Sequence, residues 1–262
     1  CINAVVPSGP YTVVDFHYAG GVMNVMKMLE SKLYTNVPSM YGNTWADMLS
    51  KVKAQENKVI HSLEKPLFHE PGLKILRGNL SPNGAIVRPT AVYDEVKYMK
   101  GKAKVFEGDR PAFEAIMAGE IVPGDIIVIR YEGCKGAPGM KELMLSIDAL
   151  IGLGLDKSVG LISDARFSGF NYGAIIGHVS PEAYDGGNIA LVENGDEIVI
   201  DIPNGEVSML VSEEELERRR AAWVCPPLKE EKGCLNIFAK MCRPAEEGGA
   251  MQPWDLNAKF KR

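Results

Sequence analysis

Short apolar runs separated by glycine and proline turns fill the chain from about residue 73 onward, and this pattern constrains the fold more than any other feature. The runs are about five residues long and recur roughly every ten residues, which is typical of a β-barrel or β-sandwich. The pattern therefore predicts one of these two architectures. Strands are predicted at residues 73–76, 85–87, 103–106, 126–130, 159–163, 189–192, 197–202 and 207–211.

Helices are predicted before and between these strands, so the expected fold class is mixed α/β with a barrel-like part. Asp109 is interpreted as the N-cap of one helix, because Asp favours that position and Pro111 follows in the first turn. Ser212 opens a capping box for another helix, which is expected to reach Trp223. Helices are predicted at residues 22–29, 44–52, 109–119, 141–151 and 212–223.

The composition is that of an ordinary globular protein, with 46% hydrophobic and 24% charged residues and a net charge of −5. The acidic balance predicts no nucleic-acid partner. No apolar run approaches the roughly 18 residues of a membrane helix, so no membrane association is expected. The chain starts at Cys1 with no signal-peptide pattern, which hints at a fragment or a processed piece.

The five cysteines are odd in number and include no C-x-x-C pair. We expect them to be reduced thiols of a cytoplasmic protein. The alternative is that Cys225, Cys234 and Cys242 ligate zinc or a cluster. Their spacing matches no standard ligand pattern and disfavours this alternative.

A glycine-rich loop precedes Glu142. Residues 129–142 (IRYEGCKGAPGMKE) indicate a buried strand that exits into a loop and then enters a helix. Glycines permit close approach of a ligand to the backbone, and a carboxylate at this position suits an oxygen-liganded cation such as Mg²⁺. The helix macrodipole also favours a carboxylate in a first turn, so a purely stabilising role for Glu142 is an equal alternative.

A second strand-to-loop transition lies at residues 161–173 (LISDARFSGFNYG). Asp164 and Arg166 are predicted to form a local ion pair. Ser168 stands before a glycine and is either an exposed hydroxyl at a sharp turn or a simple turn serine. The hydrolase motif G-x-S-x-G is absent because Arg166 takes the place of the first glycine.

A third stretch, residues 177–183 (GHVSPEA), indicates a helix start. Ser180 is the predicted N-cap, and Glu182 is the acid that the dipole would favour. His178 could meet a bound carboxylate or phosphate, or it could simply pack. The common nucleotide-binding and zinc-protease motifs are absent from the sequence.

Taken together, six motifs resemble the dihydroxy-acid and sugar-acid dehydratase family in order and spacing. The chain looks like the C-terminal two-fifths of such a protein, and the resemblance runs from about residue 7 to residue 250. The motifs lie at residues 15–21 (DFHYAGG), 78–85 (GNLSPNGA), 123–133 (PGDIIVIRYEG), 136–142 (GAPGMKE), 164–169 (DARFSG) and 177–183 (GHVSPEA).

The resemblance implies a domain organisation. Residues 1–66 would be a helical segment that ends the family's N-terminal α/β domain. Residues 67–225 would form a swivelling β/β/α barrel domain, and residues 226–262 a C-terminal tail. We therefore expect an apolar surface where the N-terminal domain or subunit docks, and a homo-oligomer.

The resemblance also implies a reaction, the elimination of water from a 2,3-dihydroxy carboxylate to give a 2-keto acid. Glu142 would bind Mg²⁺, and Ser168 would take the C2 proton. A [2Fe-2S] or [4Fe-4S] cluster, held by cysteines of the missing N-terminal domain, would act as Lewis acid on the C3 hydroxyl. Arg166, His178 and Ser146 are expected to contact the polyhydroxy carboxylate.

Departures from the family pattern bear on the substrate. Cys134 stands where the family usually has proline, and residues 145–148 (LSID) replace a Thr/Ser-rich stretch near the substrate. Asp148 adds a negative charge there. Ala165 and the form of residues 15–21 lean toward the sugar-acid branch over the branched-chain amino acid branch.

Two further hypotheses stay open from the sequence. The chain could be a non-catalytic binding or regulatory module that retains the dehydratase barrel. A free-standing serine hydrolase is disfavoured, because no base accompanies Ser168 in a motif. The dehydratase hypothesis itself predicts that this piece alone is inactive.

Overall fold

In the computed structural model, which describes residues 1–6 and 9–251, the chain divides into two units after Gly72. The first unit contains three helices and long connecting loops. The second unit contains the strands. The assignment made from the sequence, with boundaries at residues 66 and 225, stays a prediction.

The helices of the first unit are α1 (Val13–Tyr18), α2 (Gly21–Met28) and α3 (Trp45–Leu49). Thr12 and Thr44 cap α1 and α3, each in a reciprocal capping box with the aspartate three residues later. The helix predicted over residues 44–52 ends earlier, at Leu49. The amides of Lys51 and Val52 donate to carbonyls three residues back, as in a 3₁₀ turn, and so do not extend the α-helix.

Eight strands of the second unit close into a barrel, which confirms the predicted mixed α/β, barrel-like fold. The order around the barrel is β1-β2-β6-β5-β4-β3-β7-β8. Strands β3 to β6 are paired in parallel, and the remaining neighbours are antiparallel except for the β1–β8 closure. The strands are β1 (Lys74–Gly78), β2 (Ser81–Val87), β3 (Tyr98–Phe106), β4 (Ile126–Ile129), β5 (Gly160–Ser163), β6 (Ile175–Ser180), β7 (Glu197–Asp201) and β8 (Glu206–Met209).

The central parallel strands are buried on both faces. In β4, Ile126 and Val128 belong to the apolar core inside the barrel, whereas Ile127 and Ile129 pack into a second core outside it. The second core lies beneath α4 (Asp109–Met117) and α5 (Leu145–Gly152). Burial on two faces explains why β4 is a continuous apolar run in the sequence.

Adjacent parallel strands bring two of the motif-bearing loops together. β4 pairs in register with β5, from Ile126 opposite Gly160 to Ile129 opposite Ser163. Because parallel strands end at the same edge of a sheet, the loop after β4 and the loop after β5 leave the barrel side by side.

One predicted strand is wrong and one strand was missed. Residues 189–192 do not form a strand, because Asn188–Leu191 is a 3₁₀ turn whose apolar side chains are buried in the barrel core. Strand β6 was missed because Gly177 and His178 interrupt its β-type pattern. His178 takes a left-handed conformation with φ 56° inside that strand.

The prediction that Asp109 is the N-cap of α4 is wrong. Gly108 is at the N-cap position, and Asp109 is the first residue of the helix. The Asp109 carboxylate instead accepts hydrogen bonds from the amides of Leu145 and Ser146, at 3.1 Å each, and so caps α5. The helix predicted at residues 141–151 therefore begins only at Leu145.

The remaining helices are α6 (Glu213–Ala222) and α7 (Cys234–Met241). α6 begins at the predicted cap Ser212. α7 lies in a segment whose sequence shows little periodicity, and the residue after it, Cys242, is buried with Cys134 and Met140. Across the described ranges, none of the helices has the length and apolarity needed to cross a bilayer.

Candidate active site

Glu142 lies in an extended segment before α5, not in a helical first turn as predicted. Its backbone forms a parallel β-bridge with Arg166, and the amide of Leu143 donates to the carbonyl of Arg166 at 3.0 Å. Ser168 follows Arg166 by two residues. The bridge therefore places the loop that carries Glu142 directly beside the turn that carries Ser168.

Ser168 lies in a half-buried turn. Its Oγ accepts a hydrogen bond from the amide of Phe170 at 3.0 Å, which is the local bond expected of a turn serine. The Arg88 guanidinium, in the residue that follows β2, donates to the carbonyl of Gly169 in the same turn. The Ser168 hydroxyl proton is not needed for the bond to Phe170, so it stays available to another group.

The Glu142 side chain is half-buried, and within the part of the chain that the structure describes no hydrogen bond or ion pair engages its carboxylate. A carboxylate in this situation suits a cation ligand. However, the described residues contain no group of three His, Cys, Asp or Glu side chains that could hold a metal ion. Within the described residues, Glu142 could thus supply one ligand to a cation.

Arg166 and His178 line one cavity of about 230 Å³. Arg166 is exposed, and the ring of His178 stands edge-on to Phe167 with 6.4 Å between ring centroids. Burial and the neighbouring Arg166 charge lower the pKa of His178, so the imidazole is neutral at pH 7. The cavity therefore offers one cation and one neutral hydrogen-bonding ring. The rest of its lining is largely apolar and consists of Cys134, Gly139, Met140, Phe238, Ala245, Gly248 and Gly249.

Asp164 does not pair with Arg166, contrary to the prediction from the sequence. It is fully buried, and its carboxylate accepts hydrogen bonds from the amides of Tyr131, Glu132 and Ala183 at 2.9–3.1 Å. Burial raises the pKa of Asp164 to about 6, although the three amide donors act in the opposite direction.

Glu182 does not lie in a helix start, because Ser180 ends β6 and Glu182 precedes only a short 3₁₀ turn. Its buried carboxylate accepts hydrogen bonds from the amides of Lys135, at 2.9 Å, and Gly136, at 3.2 Å. Burial raises the pKa of Glu182 to about 7. Glu182 thus binds the glycine-rich loop that leads to Glu142.

Ser146 is fully buried, and its hydroxyl donates to the Asp109 carboxylate at 2.6 Å. This bond belongs to the cap of α5, so we leave Ser146 out of the proposed substrate site. The structure brings Glu142, Arg166, Ser168 and His178 to one edge of the barrel. Asp164 and Glu182 were not recognised as parts of this edge. The sequence signal that could have identified them is an acidic residue just after each of two strands, β5 and β6, together with the glycine-rich loop after β4.

The sequence profile described as "Dihydroxy-acid/6-phosphogluconate dehydratase C-terminal" matches residues 58–249. A dihydroxy-acid dehydratase of Clostridium novyi is 44% identical over 254 residues, which cover 96% of this chain and 46% of the relative. The dihydroxy-acid dehydratase of Methanothrix thermoacetophila is 45% identical over 250 residues, covering 94% of this chain and 46% of the relative.

A third relative gives the same picture. The dihydroxy-acid dehydratase of Methanosarcina barkeri is 46% identical over 247 residues, or 93% of this chain and 44% of the relative. The chain therefore spans a little less than half the length of the curated relatives it matches.

Proposed function

This chain belongs to the dihydroxy-acid/6-phosphogluconate dehydratase family, and we propose from that premise that it is the C-terminal portion of a hydro-lyase. The proposed reaction removes water from a 2,3-dihydroxy carboxylate, either a dihydroxy acid or a sugar acid, and yields a 2-keto acid. The observation that carries the proposal is the β-bridge between Glu142 and Arg166, because it sets the Glu142 loop beside the Ser168 turn.

Ser168 is the proposed base for the C2 proton. Its Oγ, as the alkoxide, takes this proton while the C3–O bond breaks. The proton then passes from Ser168 to the departing C3 oxygen, which leaves as water, and the resulting enol tautomerises to the 2-keto acid. A serine hydroxyl is a poor base at neutral pH, because lowering its pKa by about 6 units requires about 8 kcal/mol of differential stabilisation. A carboxylate beside it would act in the wrong direction.

A divalent cation bound in part by Glu142 would supply the positive charge that stabilises the Ser168 alkoxide. Glu142 suits this role because its carboxylate is half-buried and is not engaged by the described residues. The remaining cation ligands, and the cysteines for an iron–sulfur cluster, are proposed to come from an N-terminal domain or subunit. Each of the five cysteines here is free, and the described ones form no ligand group.

Arg166 and His178 are the proposed contacts for the substrate carboxylate and hydroxyls. The Arg166 guanidinium can bind a carboxylate through two parallel hydrogen bonds. The neutral His178 ring can donate to or accept from a hydroxyl. The cavity between them is small, about 230 Å³, which is consistent with a small polyhydroxy carboxylate.

The test is a dehydration assay on the complete native polypeptide that carries this sequence, reconstituted with iron, sulfide and Mg²⁺. A panel of branched dihydroxy acids and aldonic acids is offered, and 2-keto acid formation is followed with a carbonyl reagent. The proposal expects turnover of at least one member. Binding of the acids without turnover would instead support the module that retains the barrel without the chemistry.

A further inference from the structure

The loop between β4 and Glu142 is held largely by carboxylates from other segments. Residues 131–142 form neither a helix nor a strand, so their buried amides need partners outside regular structure. Four of these amides are bound by two buried side chains: those of Tyr131 and Glu132 donate to Asp164, and those of Lys135 and Gly136 donate to Glu182.

Glu182 reaches the loop from the segment after β6. Its carboxylate lies against the backbone of Gly133 so closely that a Cβ atom there would approach Oε2 to 2.2 Å. The Lys135 ammonium extends to the carboxylate of Asp185 at 2.6 Å, three residues after Glu182. The turn at residues 133–136 is thus bound to this segment through both backbone and side chain.

Asp164 connects three segments at one buried point. It follows β5 directly and binds the start of the loop after β4 as well as the amide of Ala183, which adjoins Glu182. Asp164 also precedes Arg166 by two residues, and Arg166 is the bridge partner of Glu142. Asp164 therefore links the two functional loops directly, and Glu182 binds the first of them from the segment after β6.

We propose that Glu182 and Asp164 are positioning residues, which hold the 131–142 loop so that Glu142 stays in register with the Ser168 turn. This inference rests on the proposed function. Neither side chain is proposed to touch the substrate. Each acts through backbone amides and through the bridge between Glu142 and Arg166.

The energetics favour a role beyond simple packing. A buried carboxylate destabilises a fold unless hydrogen bonds compensate, and burial raises the pKa values of both groups, to about 7 for Glu182 and about 6 for Asp164. An apolar side chain of similar size would avoid this desolvation. It would, however, leave the loop amides without acceptors and the loop without a fixed path.

Glu182→Gln tests the proposal in the native polypeptide with little change of shape. Oε1 accepts from the Lys135 amide, and Oε2 accepts from the amides of both Lys135 and Gly136. In either orientation the Gln side chain therefore turns an N–H₂ group toward at least one loop amide, and two donors then face each other. Glu114→Gln is the matched control, because Glu114 is an exposed acid of α4. The first readout is hydrogen exchange at Lys135, Gly136 and Leu143.

In Glu182→Gln we expect exchange at Lys135 and Gly136 to accelerate about tenfold or more, and exchange at Leu143 to accelerate with them. The β4 amides should stay far more protected than the loop amides, which shows that the barrel is folded. The kcat should fall about tenfold with KM within about twofold of the wild type. The Glu114→Gln control should match the wild type in every measurement.

Two results would overturn the inference: unchanged exchange at Leu143, or faster exchange there with kcat unaffected. If the wild-type polypeptide dehydrates none of the offered acids, the proposed function fails. In that case the Leu143 amide still decides whether Glu182 holds the loop in register. Asp164→Asn provides an independent second variant with the same expected pattern at Tyr131, Glu132 and Leu143.

Discussion

The amide of Leu143 donates to the carbonyl of Arg166 over 3.0 Å, and this bond joins the Glu142 end of the loop after β4 to the loop after β5. Glu142 lies immediately before the bond on one loop, and Ser168 lies two residues after it on the other. The pairing of β4 with β5 brings the loops together, and the bond fixes their register.

Ser168→Ala is expected to abolish most of the dehydration by the native polypeptide. Loss of the proposed base should lower kcat by about 10²- to 10⁴-fold with KM little changed, because the hydroxyl acts on the proton and not in substrate binding. Ser158→Ala is the control, since Ser158 forms only a local bond to the carbonyl of Leu155. A Ser168→Ala enzyme with more than about a tenth of wild-type kcat would refute the assignment.

Asp109→Ala should destabilise the barrel by about 2–4 kcal/mol, since it removes both the cap of α5 and a buried acceptor. Asp109 accepts from the amides of Leu145 and Ser146 and from the Ser146 hydroxyl. Native-state hydrogen exchange of the β4 amides measures the free energy of global unfolding. Asp148→Ala, at an exposed position of α5, should change it by less than about 0.5 kcal/mol. Equal effects of the two substitutions would contradict the capping role.

Gly133→Ala should release Glu182 from the loop, because the new Cβ would lie 2.2 Å from the Glu182 Oε2 atom. We expect faster exchange at Lys135 and Gly136 and a loss of about 1–3 kcal/mol of stability. Gly152→Ala, at the end of α5, meets no heavy atom within 4 Å and should be neutral or slightly stabilising. A Gly133→Ala protein with wild-type exchange rates would show that the close approach does not constrain the loop.

The contribution of Glu182 to the free energy of unfolding should decrease as the pH rises from about 4.5 to about 7. The pKa of Glu182 is raised to about 7 in the folded state, so its contribution is fully present below the unfolded value and is lost through pH 7. The ionisable groups near Glu182 are Lys135, Asp164, Tyr184, Asp185, Cys134 and Cys242.

Glu182→Gln should flatten this pH dependence by about 1–2 kcal/mol between pH 5 and pH 7. Asp164 contributes in the same direction, with its pKa raised to about 6, so a residual slope should persist in Glu182→Gln. Unfolding free energies of both proteins at four pH values check the prediction. Parallel curves for the wild type and the variant would contradict the raised pKa of Glu182.

Much of the barrel could be predicted from the sequence, because strands such as β4 and β5 are buried on both faces and consist mainly of apolar residues. Strand β6 could not, since the barrel forces His178 and Gly177 into a ladder that their local preferences oppose. The 3₁₀ turn at Asn188–Leu191 is the opposite case. The side chains of Ile189, Ala190 and Leu191 are apolar and pack in the barrel core, as those of a strand would, but the backbone of the turn joins no sheet.

The site, like the fold, could be predicted only in part from the sequence. Glu142 and Ser168 stand in recognisable motifs, so the sequence could nominate them. The partners of Asp164 and Glu182 are amides 19 to 47 residues away, and no local pattern indicates such pairs. Local reasoning therefore assigned Asp164 to Arg166, and Glu182 to a helix start that does not form.

The most direct test of the central claim is an anomalous difference map from crystals of the native polypeptide with Mn²⁺ in place of Mg²⁺. The account predicts a Mn²⁺ peak at about 2.0–2.3 Å from a Glu142 carboxylate oxygen and within reach of the Ser168 Oγ atom. A peak bound elsewhere, with Glu142 and Ser168 turned away from it, would contradict the account.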